Sequence, residues 1–301
     1  MNPKEQRETQ KQLYNIYTGI LRNNPVFFDG LVPEFHYEFD CPEYEELNET
    51  YHLSDISGKG TDFERARRLC HHFAPRLKHK GDYDGHITAN SLALLDYCYE
   101  KEDMGINCLY KSKILAECCM ALGIYARRVH IMPYSPYDMD NHVDTEIFDR
   151  KLNKWILLDV TNDCYYIDGN GTPLNMMEVR NKMMDLEPCT CVFWRQVPNT
   201  EKLLHNSKNA ELNSYTAKNM FWFKIDSHSS FGIKGEQYYF LPQHFDVKKN
   251  NLDNLDFKLK YLEEYHLDPG LRKYLLEIKE RIEQKTFVTY STEHVWDSPI
   301  I

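Results

Sequence analysis

The sequence predicts an α+β fold in which N-terminal helices pack on an antiparallel sheet. Two observations support this class. Helical patterns, one of them opened by the capping box Thr61-x-x-Glu64, occupy much of the chain before residue 122. After them, an alternating run at 142–148 and an apolar run at 155–159 are joined by the polar segment 149–154, which is typical of a β-hairpin.

The N-terminal sixty residues are expected to pack against the body of the protein. Residues 12–22 place their apolar side chains on one helical stripe, namely Leu13, Ile16, Tyr17, Ile20 and Leu21. Residues 25–60 are rich in proline and aromatic residues and predict an irregular segment with a short strand at 35–39.

Three helices are predicted between residues 61 and 122. The first follows the capping box, and its apolar face consists of Phe63, Ala66, Leu69, Cys70 and Phe73. The second covers 89–99, and the third covers 109–122 and is closed by Gly123.

Cys108 stands at the start of the third helix. Asn107 is a favoured N-cap residue, so its side chain is expected to accept an N–H of the first turn, with Cys108 as the first helical residue. Free N–H groups and the positive end of the helix dipole then favour the thiolate, which is the nucleophilic form of cysteine. Cys108 is therefore the candidate nucleophile.

The predicted hairpin brings a histidine and a carboxylate together. A two-residue turn at Arg150-Lys151 sets His142 directly opposite Asp159, whereas a register that pairs Phe148 with Trp155 makes the two diagonal neighbours on one face. A slip of one residue would separate them onto opposite faces. In either favourable register the carboxylate can hold one imidazole nitrogen and direct the other towards Cys108, which predicts a Cys-His-Asp triad.

Other residues compete for these roles. Asp144 shares the face of His142, and Asn162 and Asp163 follow Asp159 closely. One donor to an oxyanion is expected to be the backbone N–H of Cys108, and Asn90 is a candidate for the second.

The pattern as a whole resembles the transglutaminase-like superfamily of papain-like thiol enzymes. The resembling segments are Gly105-Ile-Asn-Cys108, Ala121-Leu-Gly-Ile-Tyr-Ala-Arg-Arg-Val129, His142 and Lys154-Trp-Ile-Leu-Leu-Asp-Val-Thr161. In that family the order is Gly-x-Cys, a helix, Leu-Gly-Ile-x-Ala-Arg, a histidine at a strand start, and Trp-x-x-x-Asp. The resemblance covers about residues 60–180, and its specific part lies between 105 and 161.

This resemblance implies a papain/transglutaminase-like catalytic core at 61–190. Residues 1–60 would then supply a helix and an irregular segment packed on that core, and residues 191–301 strands and a helix that complete or cap it. Within the last region, 221–225 and 238–241 predict strands, and Pro269 begins a predicted amphipathic helix.

The function that the resemblance implies is thiol-dependent acyl transfer at a peptide, isopeptide or glutaminyl amide. Hydrolysis through a thioester on Cys108 is expected, with His142 as base and Asp159 as its orienting group, and no cofactor is required. The loop 133–141, which precedes His142, is expected to form a wall of the substrate groove. Two alternatives stay open: a non-catalytic binding module of the same fold, and a glycan- or arylamine-handling thiol enzyme with the same triad.

Composition limits the partners and the compartment. The net charge of −10 disfavours binding to nucleic acid, and no stretch approaches eighteen consecutive apolar residues, so no membrane association is expected. Nine cysteines without framework spacing favour the reducing cytoplasm. Neither Cys189-x-Cys191 nor His71-His72 has a partner pair at zinc-ligand spacing, so no metal site is expected.

Overall fold

The computed structural model describes residues 3–100, 103–193, 202–233, 235–265 and 269–300 of the 301-residue chain. Within these ranges lie ten helices. They are α1 (Pro3–Arg22), α2 (Pro42–Tyr51), α3 (Leu53–Ser57), α4 (Asp62–Phe73), α5 (Ser91–Glu100), α6 (Cys108–Ala121), α7 (Met176–Asp185), α8 (Lys202–Asn219), α9 (Val247–Tyr265) and α10 (Pro269–Gln284).

The described residues also form eleven strands. They are β1 (His36–Tyr37), β2 (Lys78–His79), β3 (Gly105–Ile106), β4 (Ala126–Met132), β5 (His142–Asp149), β6 (Lys154–Asp159), β7 (Cys164–Asp168), β8 (Cys189–Phe193), β9 (Trp222–Asp226), β10 (His228–Ser229) and β11 (Gln237–Phe240). Seven of them make one antiparallel sheet in the order β11-β9-β4-β5-β6-β7-β8. The α+β class predicted from the sequence is confirmed.

Helices cover both faces of this sheet, and each face has its own apolar core. On one face, Ala126, Ile147 and Leu158 pack with residues of α4, α5 and α6. On the other face, Val129 and Leu157 pack with residues of α1, α7 and α8. The alternation of side chains along each strand therefore decides which helical layer a residue meets.

The β5–β6 hairpin adopts the second of the two predicted registers. Phe148 pairs with Trp155 and Thr145 with Leu158, so the same register places Asp144 opposite Asp159. The alternative with a two-residue turn at 150–151 was wrong, because the connection between the strands covers residues 150–153. Within this connection, Asn153 has a φ of 51°. The longer turn moves His142 from opposite Asp159 to a diagonal position on the same face.

The helix start at α4, the short strand β1 and the C-terminal strands were predicted from local patterns. The capping box of α4 is confirmed, since Thr61 and Glu64 exchange side-chain and backbone hydrogen bonds. The strand predicted at 35–39 shortens to β1, which pairs in parallel with β10. The predicted C-terminal strands are β9 and β11, which extend the sheet beside β4, and the expected boundary at 190–191 falls within β8.

The last two helices form a hairpin with a small core of its own. Leu255, Leu259 and Leu262 of α9 pack against Leu275 of α10. Among the described residues, no helix combines the length and the apolar character needed to cross a lipid bilayer.

Candidate active site

Cys108 is the first residue of α6 and is half-buried. Asn107 takes the extended N-cap conformation, but the predicted side-chain cap was wrong, because its side chain accepts no hydrogen bond from the first turn. Its buried Oδ1 has no hydrogen-bond partner, while its backbone carbonyl accepts the N–H groups of Tyr110 and Lys111. The extended backbone of Asn107 therefore starts the helix without a side-chain cap, and the first N–H groups of the helix lie at Cys108.

His142 lies at the start of β5 and contacts two carboxylates through the same nitrogen. Its Nε2 lies 3.1 Å from Asp159 Oδ2, in hydrogen-bond geometry, and 3.1 Å from Asp144 Oδ1. Asp144 Oδ1 is not aligned for a hydrogen bond. Both carboxylates hold Nε2, so Nδ1 is the ring nitrogen that remains for another partner.

Asp159 is held more firmly than Asp144. Its Oδ1 accepts the backbone N–H groups of Thr161 and Asn162 at 2.8 and 2.9 Å, and its Oδ2 accepts the Asn162 side-chain amide at 2.7 Å. These bonds form because β6 ends at Asp159 and the chain turns back over the carboxylate. The sequence interpretation weighed Asp144, Asn162 and Asp163 against Asp159; the structure brings Asp144 and Asn162 into the same cluster.

The three buried charges set each other's protonation. Burial opposes the charge on His142, but Asp159 and Asp144 raise the pKa of His142 well above its ordinary value. Burial raises the pKa of Asp144 to about 6. Burial acts in the same direction on Asp159, yet His142 and Asn162 hold the pKa of Asp159 below its ordinary value. At neutral pH the cluster therefore holds an imidazolium beside the ionised Asp159.

Cys108 and His142 line one cleft with a volume of about 1260 Å³. The Thr145 hydroxyl donates to Ser112 of α6, whereas His142, three residues earlier, contacts the ring of Tyr215 on α8 at 5.5 Å between centroids. The imidazole thus belongs to the opposite helical layer from the body of α6, and the cleft joins the two layers at the end of the sheet. Among the described residues, no hydrogen bond links Cys108 to His142.

Tyr215 is a cleft residue that the sequence interpretation missed. Its hydroxyl donates to the carbonyl of Asn141 at 3.2 Å. Burial raises the pKa of Tyr215, and His142 and Cys108 both act on it electrostatically, the imidazole lowering and the sulfur raising that pKa. No pattern near Tyr215 in the sequence indicates this position, because Tyr215 lies 73 residues after His142 along the chain.

Other predicted site residues take different places. The Asn90 side chain accepts the N–H of Ala93 at the start of α5 and is not among the cleft residues, so it has the role of a helix cap. Asp163 hydrogen-bonds His71 at 2.8 Å and lines the cleft. The loop 133–141 contributes residues 139–141 to the cleft wall, whereas its tyrosines line a separate cavity of about 340 Å³.

Residues able to hold a metal ion were not expected from the sequence. His142, Asp144 and Asp159 place one ligand atom each within 4.8 Å of one another, and one imidazole with two carboxylates is a donor set that divalent cations accept. The same contacts are accounted for by the hydrogen bond and ion pair described above. All nine cysteines are free, and Cys118 and Cys119 are buried.

Basic and amide side chains form another part of the cleft that the sequence interpretation did not identify. They are Lys113, Arg128, His130, Lys224 and Gln237, which come from α6, β4, β9 and β11. Arg128 and His130 alternate along β4, and this alternation was a usable sign that one face of that strand is polar.

Comparisons with known proteins do not assign the chain to a family. No model of a known protein family, no curated protein and no solved structure matches it. A function for this chain therefore has to be inferred from the geometry of the cleft.

Proposed function

We propose that the protein is a thiol-dependent acyl-transfer enzyme that hydrolyses an amide bond through a thioester on Cys108. One observation carries the proposal: a half-buried cysteine at a helix start and a histidine held by a carboxylate line the same cleft. The proposed core is of the papain/transglutaminase-like kind, and the proposed triad is Cys108, His142 and Asp159.

The protonation of His142 fits this chemistry. Asp159 and Asp144 stabilise an imidazolium, which would pair with the Cys108 thiolate once Nδ1 and the sulfur approach each other. The thiolate adds to the amide carbonyl, and the imidazolium gives its proton to the departing amine. The neutral imidazole then takes a proton from the water that hydrolyses the thioester.

The start of α6 would stabilise the oxyanion. Among the described residues, no hydrogen bond engages the backbone N–H of Cys108 or of Leu109. Two such N–H groups at the positive end of a helix are suited to bind the negative oxygen of the tetrahedral intermediate. This arrangement would replace the role expected for Asn90.

The proposed substrate is a peptide or protein amide, and the proposed compartment is the cytoplasm. A reducing compartment is supported by nine free cysteines, because a thiolate nucleophile stays active where disulfides do not form. We propose no cofactor. A glycan- or arylamine-handling enzyme with the same triad would share the thioester step and differ only in substrate.

Alkylation by iodoacetamide at pH 7, followed by peptide mapping, tests the nucleophile. Cys108 is expected to react at least about tenfold faster than Cys41, because its thiolate would be stabilised by the helix start and His142. Cys41 is the matched control, since it is also free and half-buried but lies outside the cleft. Equal rates at the two cysteines would show that Cys108 is not activated.

Turnover tests the reaction itself. A panel containing a glutaminyl peptide, an isopeptide, an N-glycopeptide and an arylamide is incubated with the wild type and with Cys108→Ala. Release of amine by the wild type, lost in Cys108→Ala and kept in Cys41→Ala, is the expected outcome. Rapid alkylation of Cys108 without turnover of any member would favour the non-catalytic binding module.

A further inference from the structure

The end of the cleft nearest β11 has a surface made of hydrogen-bond donors. Lys113 of α6, Arg128 and His130 of β4, Lys224 of β9 and Gln237 of β11 all line the cleft there. They converge because β4, β9 and β11 are neighbours in the sheet, with His130 paired to Lys224 and Gln237 to Asp226.

The carboxylates that balance these donors lie behind them. Asp226 forms an ion pair with Arg128 and accepts hydrogen bonds from His130 at 3.2 Å and Gln237 at 3.0 Å. Asp226 is 4% exposed and is absent from the residues that line the cleft. The carboxylate therefore orients the donors without presenting its own charge to the cleft.

Lys113 is balanced in the same way on α6. Its Nζ lies 2.8 Å from Glu117, which is 3% exposed and does not line the cleft either. Glu117 also accepts the backbone N–H and the hydroxyl of Ser91, both at 2.7 Å. The Lys113 ammonium also donates to the backbone carbonyl of Ile233 at 2.9 Å, so two acceptors hold this cation at the wall of the cleft.

Negative groups also line the cleft. Asp140 precedes His142, Asp163 follows β6, and Glu211 lies on α8. In the sheet order β11-β9-β4-β5-β6, Lys224 and Arg128 come from β9 and β4, whereas Asp140 precedes β5 and Asp163 follows β6. Burial lowers the pKa of His130 to about 4, so His130 is uncharged at pH 7 and the cationic side chains at the end nearest β11 are Lys113, Arg128 and Lys224.

We propose that the cationic end is a binding subsite for a carboxylate of the substrate, which makes the substrate an acidic peptide. The proposal rests on the proposed function, because it assigns the substrate class of the same cleft. Arginine and lysine bind carboxylates through charge-assisted hydrogen bonds, and buried counter-carboxylates keep the donors in place.

The position of the subsite fixes where the acidic group stands in the peptide. Lys113 follows Cys108 by five residues on α6, which corresponds to about 7.5 Å along the helix axis. Two residues of extended peptide span about 7 Å. The carboxylate is therefore expected on a residue about two positions from the carbonyl that Cys108 attacks.

Two pairs of thiol-reactive peptides test the subsite from both chain directions. Acetyl-Glu-Gly chloromethyl ketone is compared with its Gln analogue, and iodoacetyl-Gly-Glu amide with its Gln analogue. The rate of Cys108 alkylation is followed by mass spectrometry. In at least one pair the Glu peptide is expected to react about tenfold faster, and 1 M salt should reduce that preference.

Lys224→Gln is the variant that tests the residue assignment. It lies outside the proposed catalytic groups, and it is expected to lower the Glu/Gln rate ratio severalfold. Lys224→Glu should invert the ratio. The control is Lys260→Gln, which removes an exposed lysine of α9 outside the cleft lining and should leave the ratio unchanged.

The outcomes separate the two proposals. Equal rates for Glu and Gln peptides in both pairs, with Cys108 alkylated by all four, would overturn the subsite and leave the nucleophile standing. If none of the four peptides alkylates Cys108 in the wild type, both proposals fall. The ratio of the Glu and Gln peptide rates is measured on the wild type, so it still tests the subsite if a Lys224 variant does not fold.

Discussion

Asp144 and Asp159 contact the same nitrogen of His142, yet their replacement by asparagine is expected to change stability in opposite directions. The two positions differ in what else holds the carboxylate. Asp159 accepts three further hydrogen bonds, two from backbone N–H groups and one from Asn162. Asp144 lies opposite Asp159 in the sheet, is buried, and has an Oδ1 outside hydrogen-bond geometry.

Asp159→Asn should destabilise the protein by about 3–6 kcal/mol. An asparagine oxygen can still accept the backbone N–H groups of Thr161 and Asn162. Its amide nitrogen, however, would face the Asn162 amide and His142 Nε2, which are both donors. Two hydrogen bonds to a charged acceptor are lost, each worth about 1.5–3 kcal/mol.

Asp144→Asn should stabilise the protein at pH 8. Burial raises the pKa of Asp144 from 3.8 to about 6, and this difference corresponds to about 3 kcal/mol of free energy of unfolding. Because the pKa is raised on folding, the stability that Asp144 contributes is fully present below pH 4 and is lost as the pH rises through 6. An asparagine carries no such cost, so the gain is expected at pH 8 and should vanish by pH 4.

Urea unfolding followed by tryptophan fluorescence at pH 4 and pH 8 measures both free energies. The wild type and both variants are compared at equal protein concentration. If Asp144→Asn at pH 8 costs as much stability as Asp159→Asn, the two carboxylates are equivalent partners of His142 and the difference inferred from their hydrogen bonds is refuted.

Three further predictions concern His130, Glu146 and the His142 cluster. Burial lowers the pKa of His130 from 6.5 to about 4, so the stability that His130 contributes is present above pH 6.5 and is lost as the pH falls through 4. His130→Gln should therefore reduce the loss of stability between pH 7 and pH 4 by up to about 3 kcal/mol, measured by urea unfolding. Glu146→Gln should lower the free energy of unfolding by about 3–5 kcal/mol in the same assay, because the buried Glu146 carboxylate binds Arg127 at 2.7 Å. The control is Glu8→Gln, which removes an exposed ion pair and should change the free energy of unfolding by less than about 0.5 kcal/mol. Dialysis against EDTA should leave the rate of Cys108 alkylation unchanged if His142 is held by hydrogen bonds; a change in rate, reversed by adding a divalent cation, would instead place a metal ion at the His142 cluster.

Local sequence signals predicted the elements that carry the candidate nucleophile and base. The capping box of α4 and the start of α6 depend on hydrogen bonds between residues three or four apart, so the sequence contains them directly. The prediction that His142 and Asp159 share a face depended on the parity of the β5–β6 hairpin, and the observed register has that parity. The exact register did not, because it was set by the four-residue turn that ends with Asn153.

The polar cap at Asn107 was the local signal that failed. Asparagine favours an N-cap because its side chain can accept an N–H, but here the backbone takes the cap conformation without that bond. The side chain instead borders the cleft, where its oxygen is buried. Position in the helix was thus predictable, and the hydrogen bond was not.

The sequence by itself determined where Cys108 and His142 stand in their elements, since helix and strand periods act over a few residues. Only the tertiary structure decided that Asp144 joins Asp159 on one nitrogen and that Tyr215 covers the imidazole. It also decided that β4 and β9 bring the distant cations Arg128 and Lys224 to one end of the cleft, beside Gln237 of β11. These contacts depend on strand order and helix packing between segments far apart in the chain, which no local pattern encodes.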